Sequence, residues 1–308
     1  MTEDLPLVSI LIPTYNRVAR LERAIESAIG QDYCRIEIVV SDNASEDGTD
    51  IYLASISSSC EIALHRQTTN IGLIGNWNFL ASRARGSYCL MLSDDDELEV
   101  DGISTLVAAL QRAERHSLSS EIVAIIGSSS VSKPIPSDCQ LLTCQELMQR
   151  ILLSEFTALP SATLFRVDSL RRFGYRNYYP TAIDMGLLAD FIKIDGWAVI
   201  EGRVVCKYNI HADNVTAKFA VDDIYKTYRR ILRSAYSNRG IAVDYSGPLN
   251  RYMRLTLGYV IAERYSSRKL SFISALVYLR KYRKYFKWSD YLSVPFKMLA
   301  KKIYCVFG

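Results

Sequence analysis

Short apolar runs alternate with amphipathic stretches along the first hundred residues. The run "LVSILIP" (7–13) is β-branched and stops at a proline, which predicts a buried strand. In "RVARLERAIESAIG" the apolar residues recur at helical spacing before a final glycine, which predicts a helix. "IEIVVSD" (36–42) and "YCLML" (88–92) predict two more strands, and "SEDGTDIYLASI" opens another helix. Strands alternating with helices predict an α/β fold, with a parallel sheet covered on both faces.

The pattern changes in the second half of the chain. Beyond residue 168 it is less regular, with a helix predicted around 184–193 and strand-like sequence at 197–208. From residue 219 onward the apolar spacing is helical. This change of character predicts an α/β domain of residues 1–216 and a helical C-terminal region of residues 217–308.

Polar clusters follow three of the predicted strands. "PTYNR" comes after the first strand, "SDNASEDGT" after the second, and "SDDDE" after the strand that ends near residue 92. In open parallel sheets, ligands bind beyond the carboxyl ends of the strands. The three clusters are therefore expected to meet in one cleft, where Asp42 and Asn43 can hydrogen-bond a nucleobase edge or ribose hydroxyls.

The third cluster crowds Asp94, Asp95, Asp96 and Glu97 together, where like charges repel. In an extended strand Asp95 faces away from Asp94 and Asp96, so the three converge only if the chain turns here. A hard divalent cation relieves the repulsion, and Mg²⁺ or Mn²⁺ typically combines one or two carboxylates with substrate phosphate oxygens. The spaced calcium loop and the glycine-rich phosphate loops are both missing from the sequence. In this context the cluster favours a metal site for a nucleoside diphosphate over a solvated acidic turn.

These segments resemble the family 2 glycosyltransferases with the GT-A fold. "VSILIPTYNR", "IEIVVSDNASEDGT" and "NIGLIGNWNFLASRARGSYCLMLSDDDEL" follow the order and spacing of that family over about residues 7–100. The resemblance implies a GT-A nucleotide-diphospho-sugar transferase fold, with a mostly parallel sheet flanked by helices and a helical C-terminal extension. It also implies an enzyme that transfers a sugar from a nucleoside diphosphate sugar with the help of Mg²⁺ or Mn²⁺.

The resemblance also implies site residues. Residues 13–16 are expected to line the base pocket, Asp42 to contact the base, and Asn70, Gly72 and Arg83 to lie near the ribose and diphosphate. The full set expected to bind the nucleotide sugar is Pro13, Thr14, Tyr15, Asn16, Asp42, Asn43, Asn70, Gly72, Arg83 and Asp94.

The acidic cluster corresponds to the DXD motif of the family. Ser93 replaces the first aspartate of the common Leu-Asp-x-Asp-Asp form, so Asp95 becomes the first expected metal ligand, and the assignment among the three aspartates stays open. Asp96 and His211 are expected to complete the metal set. His211 matches a histidine that many relatives carry after the last strand.

Glycosyl transfer needs a group that takes the proton of the acceptor hydroxyl. The family places a carboxylate for this purpose on or before a helix well downstream of the metal motif. In "YYPTAIDMGLLADF" the best match is Asp184, and Asp190 is the competitor.

The form "LSDDD" occurs in transferases that build bacterial O-antigen and related surface polysaccharides, which implies a substrate of that class. We also expect a saccharide acceptor linked to a polyprenyl diphosphate, which would explain a tail that contacts the membrane. One alternative is a sugar-phosphate nucleotidyltransferase, but that class needs a glycine-rich loop after the first strand and "PTYNRVAR" contains no glycine. The other is a catalytically inactive scaffold at the membrane, which the abundance of carboxylates disfavours.

The distribution of charge adds a partner. The chain has 37 basic and 33 acidic residues, and residues 268–308 hold ten of the basic ones against a single aspartate. "LSFISALVYLRKYRKYFKW" reads as a helix with an aromatic face opposite a cationic one, which is typical of helices that lie in a bilayer interface. RNA binding and simple packing on the body are the rival interpretations. We expect peripheral membrane contact through this basic tail (about 268–308) and no nucleic-acid partner.

The cellular location is predicted from what the sequence lacks. The N-terminus shows no secretory signal, and no apolar run approaches the ~18 residues that span a bilayer. The seven cysteines have neither a paired nor a zinc-binding spacing, which fits a reducing compartment. We therefore expect a cytoplasmic protein attached peripherally to the inner face of the membrane.

Overall fold

The computed structural model describes residues 5–57, 62–115, 122–131, 139–152, 155, 157–176, 182–194 and 196–209, together with 223, 226–227 and 230–231. The chain divides into two compact units, Met1–Ile151 with Glu155–Ile210, and Leu152–Ser154 with His211–Gly308. Every strand and helix named below belongs to the first unit, apart from Leu152, the last residue of the helix Cys144–Leu152. The domain boundary at 216 and the helical region 217–308 stay predictions, and the basic tail lies outside the described residues.

The described part of the first unit contains nine strands and seven α-helices. In chain order these are β1 (Val8–Thr14), α1 (Val18–Ile29), β2 (Ile36–Asp42), α2 (Thr49–Ser57), β3 (Ile62–Arg66), α3 (Gly72–Arg83), β4 (Tyr88–Met91), β5 (Glu97–Leu98), α4 (Gly102–Arg115), β6 (Ile122–Ser129), β7 (Gln140–Thr143), α5 (Cys144–Leu152), β8 (Thr163–Arg166), α6 (Val167–Phe173), α7 (Ile183–Phe191) and β9 (Trp197–Lys207). Among these helices none is both long and apolar enough to cross a bilayer.

All nine strands form one mixed sheet in the order β3-β2-β1-β4-β8-β6-β9-β5, with β7 paired to β9. The first four strands of this order are parallel to one another. β8 then runs antiparallel to both β4 and β6, whereas β6 and β9 are parallel. β5 and β7 are antiparallel to β9. The predicted α/β fold is confirmed, and its continuous parallel part is the block formed by β1 to β4.

Helices cover both faces of this parallel block. Every residue of β1 is buried, as expected for a strand that is apolar on both sides. Val8, Ile10 and Ile12 join one core cluster with the buried stripe of α1 and with residues of α2 and α4. α3 packs against β1 and β2, and its buried Trp77 and Leu80 lie outside that cluster. The sheet is thus held between two apolar layers.

The strand register brings three chain segments to one edge of the sheet. β1 and β2 pair from Val8 with Ile36 to Thr14 with Asp42, so these two strands end side by side. β4 pairs with β1, and the amide of Leu92 extends this ladder with a 2.9 Å hydrogen bond to the carbonyl of Leu11. The acidic cluster therefore begins directly beside the ends of β1 and β2.

Candidate active site

The chain turns at the acidic cluster. A turn was expected here, because carboxylates of consecutive residues in an extended strand face opposite ways. The amide of Asp96 donates to the carbonyl of Ser93 at 3.0 Å, which closes the turn. Asp94 and Asp95 then direct their carboxylates to one cationic atom, Nη1 of Arg17. That atom lies 3.0 Å from Oδ1 of Asp94 and 2.9 Å from Oδ2 of Asp95. Thr14 donates to the other oxygen of Asp94 at 2.9 Å, which ties the turn to the end of β1.

Asp96 points to a different set of partners. Its Oδ2 accepts a 2.7 Å hydrogen bond from Oγ of Ser161, and its Oδ1 accepts one of 3.2 Å from the amide of Asn209. The side-chain amide of Asn209 also donates to the carbonyl of Asp95 at 2.8 Å. Asp94 and Asp95 thus share one cationic partner, whereas Asp96 bonds to Ser161 and Asn209 and holds the turn in place. The expected assignment of Asp95 and Asp96 as metal ligands stays a prediction.

Burial makes the cluster electrostatically unfavourable. It raises the pKa of Asp94 from 3.8 to about 6, an effect that Arg17 opposes and that the charge of Asp95 reinforces. Burial raises the pKa of Asp96 to about 7, against the hydrogen bond from Ser161 and together with repulsion from Asp95. Both shifts mean that burial, reinforced by the neighbouring aspartates, disfavours the charged form of these carboxylates. A further cation at this place would be favoured.

The residues present fit a magnesium or manganese ion that is shared with a substrate. Asp94 and Asp95 offer hard oxygen donors that converge on one cation position, because Nη1 of Arg17 contacts both. Within the described residues, no three His, Cys, Asp or Glu side chains form a ready metal site. Two carboxylates suffice for an ion that fills its remaining positions with water and phosphate oxygens. His211 lies outside the described residues, so its predicted place beside the metal stays a prediction.

Asp42 offers an unused acceptor at the end of β2. The residue is fully buried, and its Oδ1 accepts a 2.9 Å hydrogen bond from the amide of Ser45. Among the described residues its Oδ2 has no hydrogen-bond partner, and Nε of Arg66 approaches it only to 3.5 Å. A buried acceptor without a donor costs free energy unless a ligand supplies one. On the paired strand β1, Pro13 is buried, whereas Tyr15, directly after the strand, is 43% exposed.

The loops after β1 and β2 are tied together through Asn16. Its amide donates to Oγ of Ser45 at 2.9 Å, and its side-chain oxygen accepts from the amide of Glu46 at 2.8 Å. Asn16 has a φ of 52°, a left-handed conformation that asparagine tolerates better than most residues. Asp47 of the second loop accepts from the amide of Val18 at 3.0 Å, at the start of α1. Tyr15 is therefore held in place by its two neighbours, since both Thr14 and Asn16 form hydrogen bonds.

Asn43, Asn70 and Gly72 build the start of α3. The side-chain amide of Asn43 donates to Oδ1 of Asn70 at 3.0 Å, and its Oδ1 accepts from the amide of Ile71 at 2.9 Å. Oδ1 of Asn70 also accepts from the amide of Gly72 at 2.8 Å. The side-chain oxygens of both asparagines are therefore engaged within the loop. Their contact with ribose or diphosphate stays a prediction.

Arg83 does not come together with the other predicted residues. It is the last residue of α3, whose 12 residues start at Gly72 and run away from the carboxyl edge of the sheet. At 1.5 Å per residue the two ends are roughly 16 Å apart. Arg83 is exposed, and its guanidinium lies 4.9 Å from the ring centre of Phe79.

The two candidate bases have different surroundings. Asp184 lies in the first turn of α7, is partly exposed, and has no ion-pair partner within the described part of the chain. Burial raises its pKa, against a hydrogen bond from the amide of Met185. Asp190 is buried and forms ion pairs with Lys193 and, at 3.1 Å, with Nε of Arg176. The carboxylate of Asp190 is thus neutralised by Lys193 and Arg176, whereas that of Asp184 has no such cation beside it in the described part of the chain.

Three residues that contact the acidic turn, Arg17, Ser161 and Asn209, were not predicted from the sequence to do so. Arg17 had a signal, since it is the basic residue of "PTYNR" and follows a predicted strand end. Ser161 and Asn209 had none, because they are 65 and 113 residues away from Asp96 along the chain. Only the antiparallel part of the sheet brings them to this edge.

The sequence between residues 9 and 174 matches the family model described as Glycosyl transferase family 2. The chain belongs to this family. Membership of a glycosyltransferase family excludes the nucleotidyltransferase alternative.

Two curated relatives of this family 2 glycosyltransferase match part of its length. The chain is 33% identical over 114 residues to the GalNAc(5)-diNAcBac-PP-undecaprenol beta-1,3-glucosyltransferase of Campylobacter jejuni, and the match covers 36% of this chain and 37% of that one. It is 36% identical over 104 residues to the abequosyltransferase RfbV of Salmonella typhimurium, covering 32% and 31%. The match thus spans about a third of the length of these curated relatives.

Two solved structures share the fold of this family 2 glycosyltransferase. Staphylococcus aureus TarS in complex with UDP-GlcNAc aligns with a TM-score of 0.65 and 16% identity, over 96% of this chain and 88% of TarS. The mannosyltransferase PcManGT from Pyrobaculum calidifontis, in complex with GDP-Man and Mn²⁺, aligns with a TM-score of 0.57 and 18% identity, over 98% and 88%. The expected GT-A fold is confirmed.

Proposed function

We propose that this family 2 glycosyltransferase moves a single sugar from a nucleoside diphosphate sugar to a saccharide carried on a polyprenyl diphosphate. One observation carries the proposal. Asp94 and Asp95 converge on one cation position at the edge where β1, β2 and β4 end. This is the edge where open α/β sheets bind ligands, and a paired carboxylate there suits a metal shared with a diphosphate.

The donor base is proposed to bind at Asp42 and Tyr15. The unpartnered Oδ2 of Asp42 would accept a hydrogen bond from a base that presents a ring N–H, as uracil, thymine and guanine do. The exposed ring of Tyr15 offers a stacking surface in the next loop. Thr14 and Asn16 support this pocket through their bonds to Asp94 and to the loop after β2.

Asp95 and Asp94 are the proposed holders of Mg²⁺ or Mn²⁺. A bound ion supplies positive charge that stabilises the departing diphosphate. Asp96 contributes by anchoring the turn through Ser161 and Asn209. A contact from His211 is proposed on the sequence alone.

Asp184 is the proposed base. The acceptor hydroxyl oxygen forms a bond to the anomeric carbon while the bond from that carbon to the diphosphate breaks, and the hydroxyl proton passes to the Asp184 carboxylate. Attack from the face opposite the leaving group inverts the configuration. A raised pKa makes Asp184 a stronger proton acceptor than an ordinary aspartate, which suits this role.

The acceptor class is supported by the names of relatives. One relative is named for a substrate on PP-undecaprenol, and the structural neighbours are complexes with UDP-GlcNAc and with GDP-Man and Mn²⁺. A lipid-linked acceptor would require the enzyme to work at a membrane. The ten basic residues of the basic tail would attract the enzyme to the anionic inner face.

The proposal is tested by transfer of radiolabelled sugar to lipid. The purified full-length protein is incubated with UDP-, GDP-, dTDP- or CDP-sugars, Mn²⁺ and lipid-linked saccharides extracted from bacterial membranes. We expect one donor class to label the lipid, and EDTA or Asp95→Asn to reduce labelling at least 100-fold, within the range of catalytic electrostatic effects of about 10²–10³. Asp32→Asn, in the exposed loop before β2, is the matched control.

Two results would count against the proposal. Undiminished transfer in EDTA, with a normal rate for Asp95→Asn, would remove the metal from the reaction. Absence of transfer and of donor hydrolysis with every nucleotide sugar would instead support the inactive scaffold.

A further inference from the structure

Arg17 occupies the position that a metal on Asp94 and Asp95 would need. It is the residue directly before α1, and its side chain is only 20% exposed. Nη1 lies 3.0 Å from Asp94 and 2.9 Å from Asp95, so a single atom contacts both carboxylates. Arg23 and Lys207, two further cations beside the acidic turn, contact Glu97 at 3.4 and 3.5 Å instead and are about half exposed. Arg17 is thus matched to the carboxylate pair.

The guanidinium and a metal compete for the same oxygens. Mg²⁺ binds carboxylate oxygens at about 2.1 Å, and a divalent ion between Asp94 and Asp95 would repel a guanidinium that stays there. If the guanidinium leaves, it loses two charge-assisted hydrogen bonds in a largely buried place. A diphosphate restores them, because guanidinium groups pair with phosphate as well as with carboxylate.

We propose that Arg17 is an internal counter-cation that occupies the Asp94–Asp95 pair in the free enzyme and transfers to the diphosphate when metal and nucleotide bind. This inference rests on the proposed function, since it assumes that a nucleoside diphosphate binds beside the pair. Arg17 would be a positioning residue that couples the two ligands. Metal alone binds weakly because it must displace Arg17, and metal with a diphosphate binds strongly because the displaced guanidinium finds a new partner. By linkage, each ligand strengthens the other by the same factor.

The inference is tested with Mn²⁺ alone, in the absence of nucleotide. Free Mn²⁺ is measured by electron paramagnetic resonance in titrations of the full-length wild type, Arg17→Gln and Arg23→Gln. We expect Arg17→Gln to bind Mn²⁺ roughly tenfold more tightly than the wild type, within the usual range of coupling factors. Arg23→Gln removes the same charge beside the same turn, and we expect it to change the affinity far less.

A second titration measures the coupling. The same three proteins are titrated with Mn²⁺ in the presence of saturating UDP or GDP. In the wild type the nucleotide that binds should increase the affinity for Mn²⁺. In Arg17→Gln the ratio of the Mn²⁺ affinities with and without nucleotide should be smaller than in the wild type. Arg17→Lys keeps the charge but not the fork of donors, and an intermediate gain is expected.

The outcomes separate the inference from the proposed function. Equal or weaker Mn²⁺ binding by Arg17→Gln would overturn the inference and leave the metal-assisted transfer intact. No Mn²⁺ binding by any variant, with or without nucleotide, would overturn both. If Arg17→Gln is unfolded without metal, recovery of its thermal transition by Mn²⁺ beyond the wild-type gain supports the inference, and failure to recover overturns it.

Discussion

Asp184 is a carboxylate whose surroundings oppose its charged form. Burial raises its pKa, and the described part of the chain gives it no cationic partner. We predict that Asp184→Asn lowers kcat by about 10²–10⁴, the usual contribution of a general base, without weakening donor binding. We also predict that it does not lower the thermal unfolding temperature, because the neutral amide removes a charge that its partly buried surroundings oppose.

Asp168 provides the matched control for this prediction. It occupies the same place in the first turn of α6 as Asp184 does in α7, but it is exposed. Asp168→Asn should retain full activity. A loss of stability in Asp184→Asn with unchanged kcat would show that the residue only supports the helix terminus.

The pH dependence of the reaction follows from the same group. Asp184 must be ionised to accept a proton, so activity should fall as pH drops through its folded pKa, which lies above 3.8. Because that pKa is raised, protonation favours the folded state, and this residue's contribution to stability should grow over the same fall in pH. Rates of the wild type and Asp184→Asn measured against pH check the direction of this effect. The residual activity of the variant should not show the fall at low pH that the wild type shows.

Asp42 carries the expected recognition of the base. In Asp42→Asn the retained oxygen can still accept from Ser45, while the group that replaces Oδ2 becomes a donor facing the base. We predict at least tenfold weaker binding of the preferred nucleoside diphosphate, from loss of a hydrogen bond to a charged group worth about 1.5–3 kcal/mol. Calorimetry against Asp32→Asn measures this. Equal affinities would place the base elsewhere.

The chemistry of single residues was partly readable from the sequence. Crowded charges after a buried strand pointed to Asp94, Asp95, Asp96 and Glu97 as a cation site, because repulsion of that kind is relieved by a cation. Their partner Arg17 was within a quoted motif, but nothing in the sequence shows that its side chain turns toward residues 77 and 78 positions away. Which of the three aspartates share a cation depended on the geometry of the turn.

At the scale of elements, the start of α3 depends on one backbone conformation. Gly72 has a φ of 78°, and a Cβ there would meet no atom within 4 Å. We predict that Gly72→Ala lowers the free energy of unfolding by about 1 kcal/mol through strain alone, since left-handed backbone disfavours side chains. Denaturant unfolding measures the change.

Gly75 in the same helix is the control. The three atoms nearest to a Cβ there all belong to the exposed side chain of Ile71, at 3.3 to 3.5 Å, so that side chain has to shift only slightly. Gly75→Ala should therefore be neutral or stabilise the helix by up to about 1 kcal/mol. Equal effects at the two positions would contradict the assigned role of Gly72.

Elements with a strong pattern were predicted closely, and weakly patterned ones were not. β1, α1, β2 and β4 lie within one or two residues of their predicted positions, because their buried faces repeat with a clear period. β3 is only partly buried and gives no clean alternation. β5 has two residues, and it exists because β9 pairs with it. In the second half of the sheet, β9 was expected at 197–208 and lies at Trp197–Lys207, whereas its pairing with β5, β6 and β7 was not predicted from the sequence.

Over the whole chain, the net charge differs between residues 1–267 and the basic tail. Residues 268–308 carry a net charge of +9, ten basic residues against one acid, and each base near anionic lipid contributes about 1 kcal/mol. We predict that full-length protein sediments with vesicles containing anionic lipid and that a chain ending at Ser267 does not. Neutral vesicles and high salt serve as controls. Equal recovery of both chains in the supernatant would contradict membrane attachment through the tail.

Binding of nucleoside diphosphates shows whether the acidic turn shares a cation with the donor. Isothermal titration of UDP, GDP, dTDP and CDP, with and without Mn²⁺, is carried out on the wild type, Asp95→Asn and Asp32→Asn. We expect one diphosphate to bind the wild type and Asp32→Asn in a Mn²⁺-dependent manner, and Asp95→Asn to bind it at least tenfold more weakly. Equal affinity of all three proteins, unaffected by Mn²⁺, would contradict a cation shared between the Asp94–Asp95 pair and the diphosphate.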